Sequence, residues 1–361
     1  MKLGNSYGIR SGAAGGCLAL LFFAQTLWAQ QTTEKVSVDD VERTYVVRLP
    51  KGYDAQQHYP VVFVLHGMHQ DAGDVQRLTR FDDLADKDGI ISVYPSALHG
   101  RWNVGVQPQE RRPTGMGPGR RRRGYGYPGG GYPGGGYPGG GGQRDPNRQP
   151  NQDRRPTPAD DIGFFNEMLD KLGTKFSVDS TRIYATGLSD GGFMSMRLGC
   201  ALGDRIAAVA AVGAAMPKTM ICLPSRPVPL VMINGTSDPV VPYGGGTEHN
   251  RNLATISVED SAKAWAKIDR CAEKPERSRL PARAKGGMET KVETYNGCQQ
   301  NAQVVLDSVK GAGNTWPGGE QYEAEKTVGK TSQDLNANEV IWSFFVTRKL
   351  PGQGGEQKEQ K

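Results

Sequence analysis

At 361 residues, 37% of them apolar, the chain has material for one large core or two ordinary ones, which excludes a mini-protein that depends on cross-links for its stability. Its formal charge of +6 is local: ten arginines stand against Glu110, Asp145 and Asp153 between residues 110 and 155, a balance of +7, and the remainder sums to −1. A nearly neutral globular part excludes a fold built around a basic nucleic-acid surface, and no nucleic-acid partner is expected.

Residues 1–29 read as a secretory signal peptide. Lys2 and Arg10 precede the apolar run 17–23, and Leu27-Trp28-Ala29 ends in a small residue. The run is too short to span a bilayer. Cys17 lies before it, whereas a lipid-modified cysteine lies after it, so no membrane anchor is expected and the mature chain reads as secreted. Of five cysteines, Cys200, Cys222, Cys271 and Cys298 remain after cleavage, an even number in an oxidising compartment. Proximity favours Cys200 with Cys222 and Cys271 with Cys298, although four cysteines permit three pairings. The chain lacks a C-x-x-C or flanking-histidine pattern, which argues against metal binding by these four.

Short apolar runs bounded by Gly or Pro predict strands at 44–50, 59–67, 90–95, 182–187, 207–214 and 228–235. Amphipathic patterns predict helices at 75–87, 161–176, 192–202, 258–269 and 335–349, the last with Val340, Ile341, Phe344 and Phe345 on one face. This alternation predicts an α/β domain over residues 31–349, with a mostly parallel, doubly wound sheet flanked by helices. Residues 106–157 interrupt it with four consecutive arginines and Gly-Tyr-Pro-Gly repeats, a composition that cannot bury enough apolar surface to order itself. They read as a disordered insertion, either a solvated spacer or a Tyr/Arg surface that adheres to polyanions or aromatic polymers. Residues 350–361 read as a disordered tail.

The stretch Thr186-Gly187-Leu188-Ser189-Asp190-Gly191-Gly192-Phe193 places G-x-S-x-G between a strand pattern and a helix pattern. That is the setting of a nucleophile elbow, which presents a serine hydroxyl at a helix N-terminus, where amides and dipole favour negative charge. A chance match is the competing reading in a chain with 49 glycines, and the flanking strand and helix decide against it. The oxyanion formed by such a serine needs two backbone donors. Asp190, after the nucleophile, supplies one, and Met68, in the loop after the strand at 59–67, is assigned the other. His66 and His69 in that loop precede the serine and read as loop structure. In the chain order Ser, Asp or Glu, His, Asp238 is the acid, with a turn-forming Asp-Pro as the alternative. Among the five histidines, His58, His66, His69, His99 and His249, only His249 follows both Ser189 and Asp238.

Several stretches together resemble the secreted polyhydroxybutyrate depolymerase and feruloyl esterase group of α/β-hydrolases. They are VVFVLHG, residues 81–95, 160–172 and 179–202 with GLSDGG, NGTSDPVVPY at 234–243 and GAGNTWPGG at 311–319. The resemblance covers most of residues 45–345 apart from the insertion. It implies the α/β-hydrolase fold, ester hydrolysis through an acyl-serine without metal or cofactor, Ser189 as nucleophile and Asp238 as acid. The base of that group is the histidine of Gly-His-Thr-Trp-Pro-Gly. Here Asn314 stands in its place, beside intact Thr315, Trp316, Pro317 and Gly318. Asn234 likewise stands where the group reads His-Gly-Thr.

An amide cannot act as a base near neutral pH, whereas imidazole, with a pKa of about 6.5, can. Removing a triad member leaves roughly 10³ to 10⁴-fold acceleration over water, from the oxyanion hole and binding. The expected function is a secreted carboxylic-ester hydrolase impaired by Asn314, with His249 as a substitute base. Its partner is an ester substrate: feruloylated polysaccharide, polyester or a small ester. Two alternatives stand beside it: a weakened hydrolase fold that binds a polymer or carbohydrate, and a surface protein whose function rests on the insertion. Trp102 and Trp316 are candidate walls of the acyl site, with ordinary core packing as the alternative.

Overall fold

The computed structural model describes residues 1, 30–105, 159–248, 253–283 and 285–351. The expected signal peptide but for residue 1, the expected insertion from 106 to 157, His249 and all of the expected tail beyond residue 351 lie outside the described residues. In β3 (Tyr59–Leu65) every side chain is buried. Val61, Phe63 and Leu65 enter one core and Val62 and Val64 the other, as the period-two pleat requires of a strand covered on both faces. The same two-sided burial holds for β4 (Ile91–Pro95), β6 (Ala208–Val212) and β7 (Leu230–Gly235). One core takes the apolar faces of α3 (Asp161–Lys175), α4 (Asp190–Ala201) and α5 (Val258–Ile268); the other takes α1 (Ala72–Thr79), α2 (Phe81–Asp88) and α7 (Ala337–Phe345).

Ten strands form the sheet, in the order β1-β2-β4-β3-β5-β6-β7-β12-β11-β10, where β1 is Gln31–Val38, β2 Val41–Arg48, β5 Val178–Leu188, β10 Glu276–Leu280, β11 Thr290–Tyr295 and β12 Val304–Val309. From β4 to β12 the pairing is parallel, and antiparallel strands extend both edges. This is the α/β-hydrolase fold. A small hairpin of β8 (Gly246–Glu248) and β9 (Leu253–Thr255) and a short α6 (Glu325–Val328) stand outside the sheet.

The helix expected over 75–87 is two helices. Arg80 adopts the left-handed conformation (φ 49°) between α1 and α2. The cause is Thr79, whose hydroxyl donates to Val75 O at 2.7 Å and accepts from the Phe81 amide at 3.3 Å, substituting a side-chain turn for the helical ladder. The edge strands β1, β10 and β11 have no counterpart in the sequence reading, because their residues are largely polar and, in β10, exposed throughout. Their backbone pairing, not apolar burial, holds them in the sheet. Leu350, placed in the tail by composition, donates its amide to Thr181 O at 2.8 Å. Cys200 is joined to Cys222 and Cys271 to Cys298, the pairing that sequence proximity favours.

Candidate active site

Ser189 sits between β5 and α4 with φ 54° and ψ −110°, a conformation that costs a non-glycine residue on the order of 1–3 kcal/mol. Two backbone bonds hold it there: its amide donates to Val212 O at 2.8 Å, and its carbonyl accepts from the Phe193 amide at 3.0 Å. The flanking glycines are required by close approach. A Cβ on Gly191 would lie 2.2 Å from Leu65 O, and one on Gly187 2.6 Å from the Gly191 carbonyl carbon, contacts with backbone that cannot move aside. The turn therefore presses against the end of β3 and raises Ser189, 9% exposed, at the N-terminus of α4.

The end of β3 leads directly into the loop that carries Met68. The Met68 amide donates to no acceptor among the described residues, while its neighbours are committed: His69 N–H to Gly100 O at 2.8 Å and Gly67 N–H to Gln70 Oε1 at 2.9 Å. His66 is fully buried, and its Nε2 accepts from the Ala97 amide at 3.0 Å, so its proton resides on Nδ1, 2.6 Å from Gly67 O. Burial also holds its pKa below the usual imidazole range, which keeps it a neutral strut rather than a base. A chain of bonds then ties this loop to the elbow. Trp102 Nε1 donates to His66 O at 3.0 Å, and the Trp102 amide donates to Asp190 Oδ2 at 2.9 Å.

On the other side of Ser189, Asp238 occupies the loop after β7. Its Oδ1 accepts from the Val240 and Val241 amides, both at 2.8 Å, and its Oδ2 accepts from Asn314 Nδ2 at 2.8 Å. Burial pushes this carboxyl up to about 6, against the lowering effect of those three donors, and nearby Glu248 adds to the rise. Asn314 Nδ2 also donates to Gly213 O at 3.0 Å. Since Ser189 bonds Val212 O, consecutive carbonyls at the end of β6 hold both residues. Two acceptors around Nδ2 fix the orientation of the amide. Asn314 Oδ1 is buried with no hydrogen-bond partner, and so is Asn234 Oδ1, whose Nδ2 donates to Ala214 O at 3.0 Å. Both departures from the resembled group thus leave an unsatisfied amide oxygen beside the site.

The structure brings Ser189, Asp190, Met68, Asp238 and Asn314 to the same end of the parallel strands. It places the two tryptophans in the cores: Trp102 is 1% exposed and packs against His66 and Phe165, and Trp316 is fully buried with Nε1 bonded to Asn338 Oδ1 at 2.9 Å. Neither presents a ring face to solvent. Gly213, absent from the sequence reading, is part of the site. It has φ +59°, and a Cβ there would stand 2.8 Å from Asn314 Nδ2. Its only sequence signal is its place at the end of a predicted strand. Among the described residues, no group of three or more His, Cys, Asp or Glu could hold a metal ion, and none is assigned to one.

No protein-family model matches the chain. It is 24% identical over 316 residues to feruloyl esterase D of Neurospora crassa, covering 87% of this chain and 84% of that protein. It is 33% identical over 165 residues to feruloyl esterase B of Piromyces equi, a match over 44% of this chain and 29% of that protein. The fold superposes on the acetyl xylan esterase of Aspergillus awamori with a TM-score of 0.51 and 12% identity, over 87% of this chain and 99% of that one. Fold and relatives together define the chain as a carboxylic-ester hydrolase on the α/β-hydrolase scaffold. Within that class its named relatives are mainly feruloyl and acetylxylan esterases, beside a putative esterase of Nocardia uniformis.

Proposed function

We propose that the protein is an exported serine esterase of the feruloyl or acetylxylan type, acting on esters carried by polysaccharide, with turnover limited by the amide at position 314. The observation that carries this reading is the 2.8 Å bond from Asn314 Nδ2 to Asp238 Oδ2 beside a strained Ser189. A triad histidine makes that same bond through Nδ1 and keeps a second, basic nitrogen for the serine. Asparagine supplies the first function and not the second.

In the reaction, Ser189 Oγ attacks the acyl carbonyl carbon and the carbonyl oxygen becomes an oxyanion. The amides of Met68 and Asp190 receive it, and the N-terminus of α4 favours its charge. The serine proton must leave with water or hydroxide, since no basic nitrogen stands at 314. Collapse expels the alcohol and leaves an acyl-serine, which water then hydrolyses to free acid and Ser189. The absence of membrane-crossing helices among the described residues is compatible with export directed by the N-terminal segment.

The test is hydrolysis of 4-nitrophenyl acetate and methyl ferulate by the mature chain and by Ser189→Ala. The expected result is slow turnover that is lost in the variant. Turnover unchanged in Ser189→Ala would eliminate the serine mechanism. His249→Ala belongs in the same series: a loss equal to that of Ser189→Ala would make His249 the working base, because members of one catalytic unit are non-additive. A polyester film as a third substrate separates the depolymerase type from the feruloyl type. The missing basic nitrogen also favours a second reading, a polymer-binding protein. That reading requires Ser189→Ala to bind feruloylated polysaccharide as tightly as the parent while neither hydrolyses it.

A further inference from the structure

Far along the sheet from β3, a cavity of about 440 Å³ lies where β10, β11 and β12 run past α7. That volume is within the range of small-molecule sites, about 300–1,000 Å³. Val231, Val292 and Val305 give it apolar walls on one part, and Gln303, Thr347 and Arg348 give it polar ones on another. At its rim Leu280 is 44% exposed, an aliphatic side chain left in water.

Into this space of mixed lining β12 directs a carboxylate. Val305 and Val309 pack toward α7, and Asp307, between them at period two, shares their face. Asp307 is 3% exposed, yet it accepts no hydrogen bond and pairs with no cation among the described residues. The cation that lines the same cavity, Arg348, makes its side-chain contacts with groups other than Asp307 and keeps a buried Nε without a partner among the described residues. Its Nη2 donates to Gln303 Oε1 at 2.8 Å, its Nη1 to Thr347 Oγ1, and its guanidinium lies 4.6 Å from the Phe344 ring centre. A buried carboxylate without donors is costly, and proteins avoid one unless a proton or a counter-cation is supplied. Burial alone pushes the Asp307 carboxyl up to about 7, since neither a donor nor a cation offsets the loss of water.

We propose that this cavity is a binding site for a small organic cation, a primary ammonium on a short apolar stem, with Asp307 as its counter-ion. The ammonium has three donors. Two of them meet the Asp307 oxygens. The valines and Phe344 then enclose the stem. This inference is independent of the chemistry at Ser189.

The experiment uses the mature chain at pH 8, where Asp307 is ionised, with phenethylammonium chloride as probe and 2-phenylethanol as its neutral counterpart. Isothermal calorimetry and thermal unfolding read the binding, since a ligand that binds only the folded chain raises the melting temperature. The expected result is at least tenfold tighter binding of the ammonium than of the alcohol, with that preference lost in both Asp307→Asn and Asp307→Val. Two variants are used so that misfolding of one leaves the other informative. Equal affinity of the parent for the two probes overturns the proposal, and so does a preference that survives in either folded variant.

Discussion

Replacing Asn314 by histidine isolates the missing element of the site. The imidazole Nδ1–H takes over the bond now made by Asn314 Nδ2 to Asp238 Oδ2 at 2.8 Å, and Nε2 projects beyond it toward the elbow. Asp238, with its pKa at about 6, is ionised at pH 7–8 and can orient that ring and stabilise the imidazolium. General acid–base catalysis contributes typically 10²- to 10⁴-fold, or about 3–5 kcal/mol of barrier. One cost is visible. Gly213 O now accepts from Asn314 Nδ2 at 3.0 Å, and an imidazole with one Nδ1 proton cannot serve both acceptors, a loss of about 1 kcal/mol. The expected gain in kcat/KM for 4-nitrophenyl acetate is therefore about 10²- to 10³-fold. The pH profile carries the sharper signature. The parent rate should climb continuously from pH 6 to pH 9 as hydroxide takes the serine proton, whereas the variant should rise to a plateau once its imidazole is neutral. A folded Asn314→His variant with the parent's rate and the parent's profile would refute the reasoning, because position 314 would then not stand where the proton must go.

Gly191→Ala tests the elbow by sterics alone: its Cβ would lie 2.2 Å from Leu65 O, so a destabilisation of about 3 kcal/mol or more is expected, read by urea unfolding, and near-parental stability would show that the turn does not press on β3. Asp269 is buried, with Oδ1 accepting from the Val228 amide at 3.0 Å and Oδ2 without a partner, and burial pushes its pKa up to about 7. A folded-state pKa above the unfolded value means the associated stability is full below about pH 4 and is lost as pH rises through 7. Asp269→Asn should therefore melt several degrees above the parent at pH 8 and close to it at pH 4; a gap of the same size at both pH values would remove ionisation as the cause.

Five of the six parallel strands were legible in the sequence because strands buried on both faces must be apolar throughout, as Val61-Val62-Phe63-Val64-Leu65 is; β12, whose apolar run Asp307 and Ser308 interrupt, was not. Ser189 was legible because a strand, a glycine-flanked serine and a helix leave only one sharp way for the backbone to pass. The signal failed where burial is one-sided or absent. Glu276-Arg277-Ser278-Arg279-Leu280 has no apolar period, and the strand that accepts it is β11, ten residues on at the Leu280–Thr290 pair and eighteen at the Glu276–Thr294 pair. Thr79 broke a helix whose apolar pattern runs on unbroken, since a side-chain bond to a backbone carbonyl leaves no mark on hydrophobic periodicity.

The sequence by itself determined the scaffold and the strand, serine and helix order of the elbow, which depend on residue type and local order; proximity favoured the observed disulfide pairs among three, and a resemblance singled out position 314. Only the tertiary structure decided that Asn314 reaches Asp238, that His66 is a neutral strut, that Trp102 and Trp316 are core, and that Asp307 lines a cavity. The physical reason is distance along the chain. Asn314 and Asp238 are separated by 76 residues, and whether two polar groups so far apart meet depends on how the strands between them are ordered in the sheet, which no local pattern encodes.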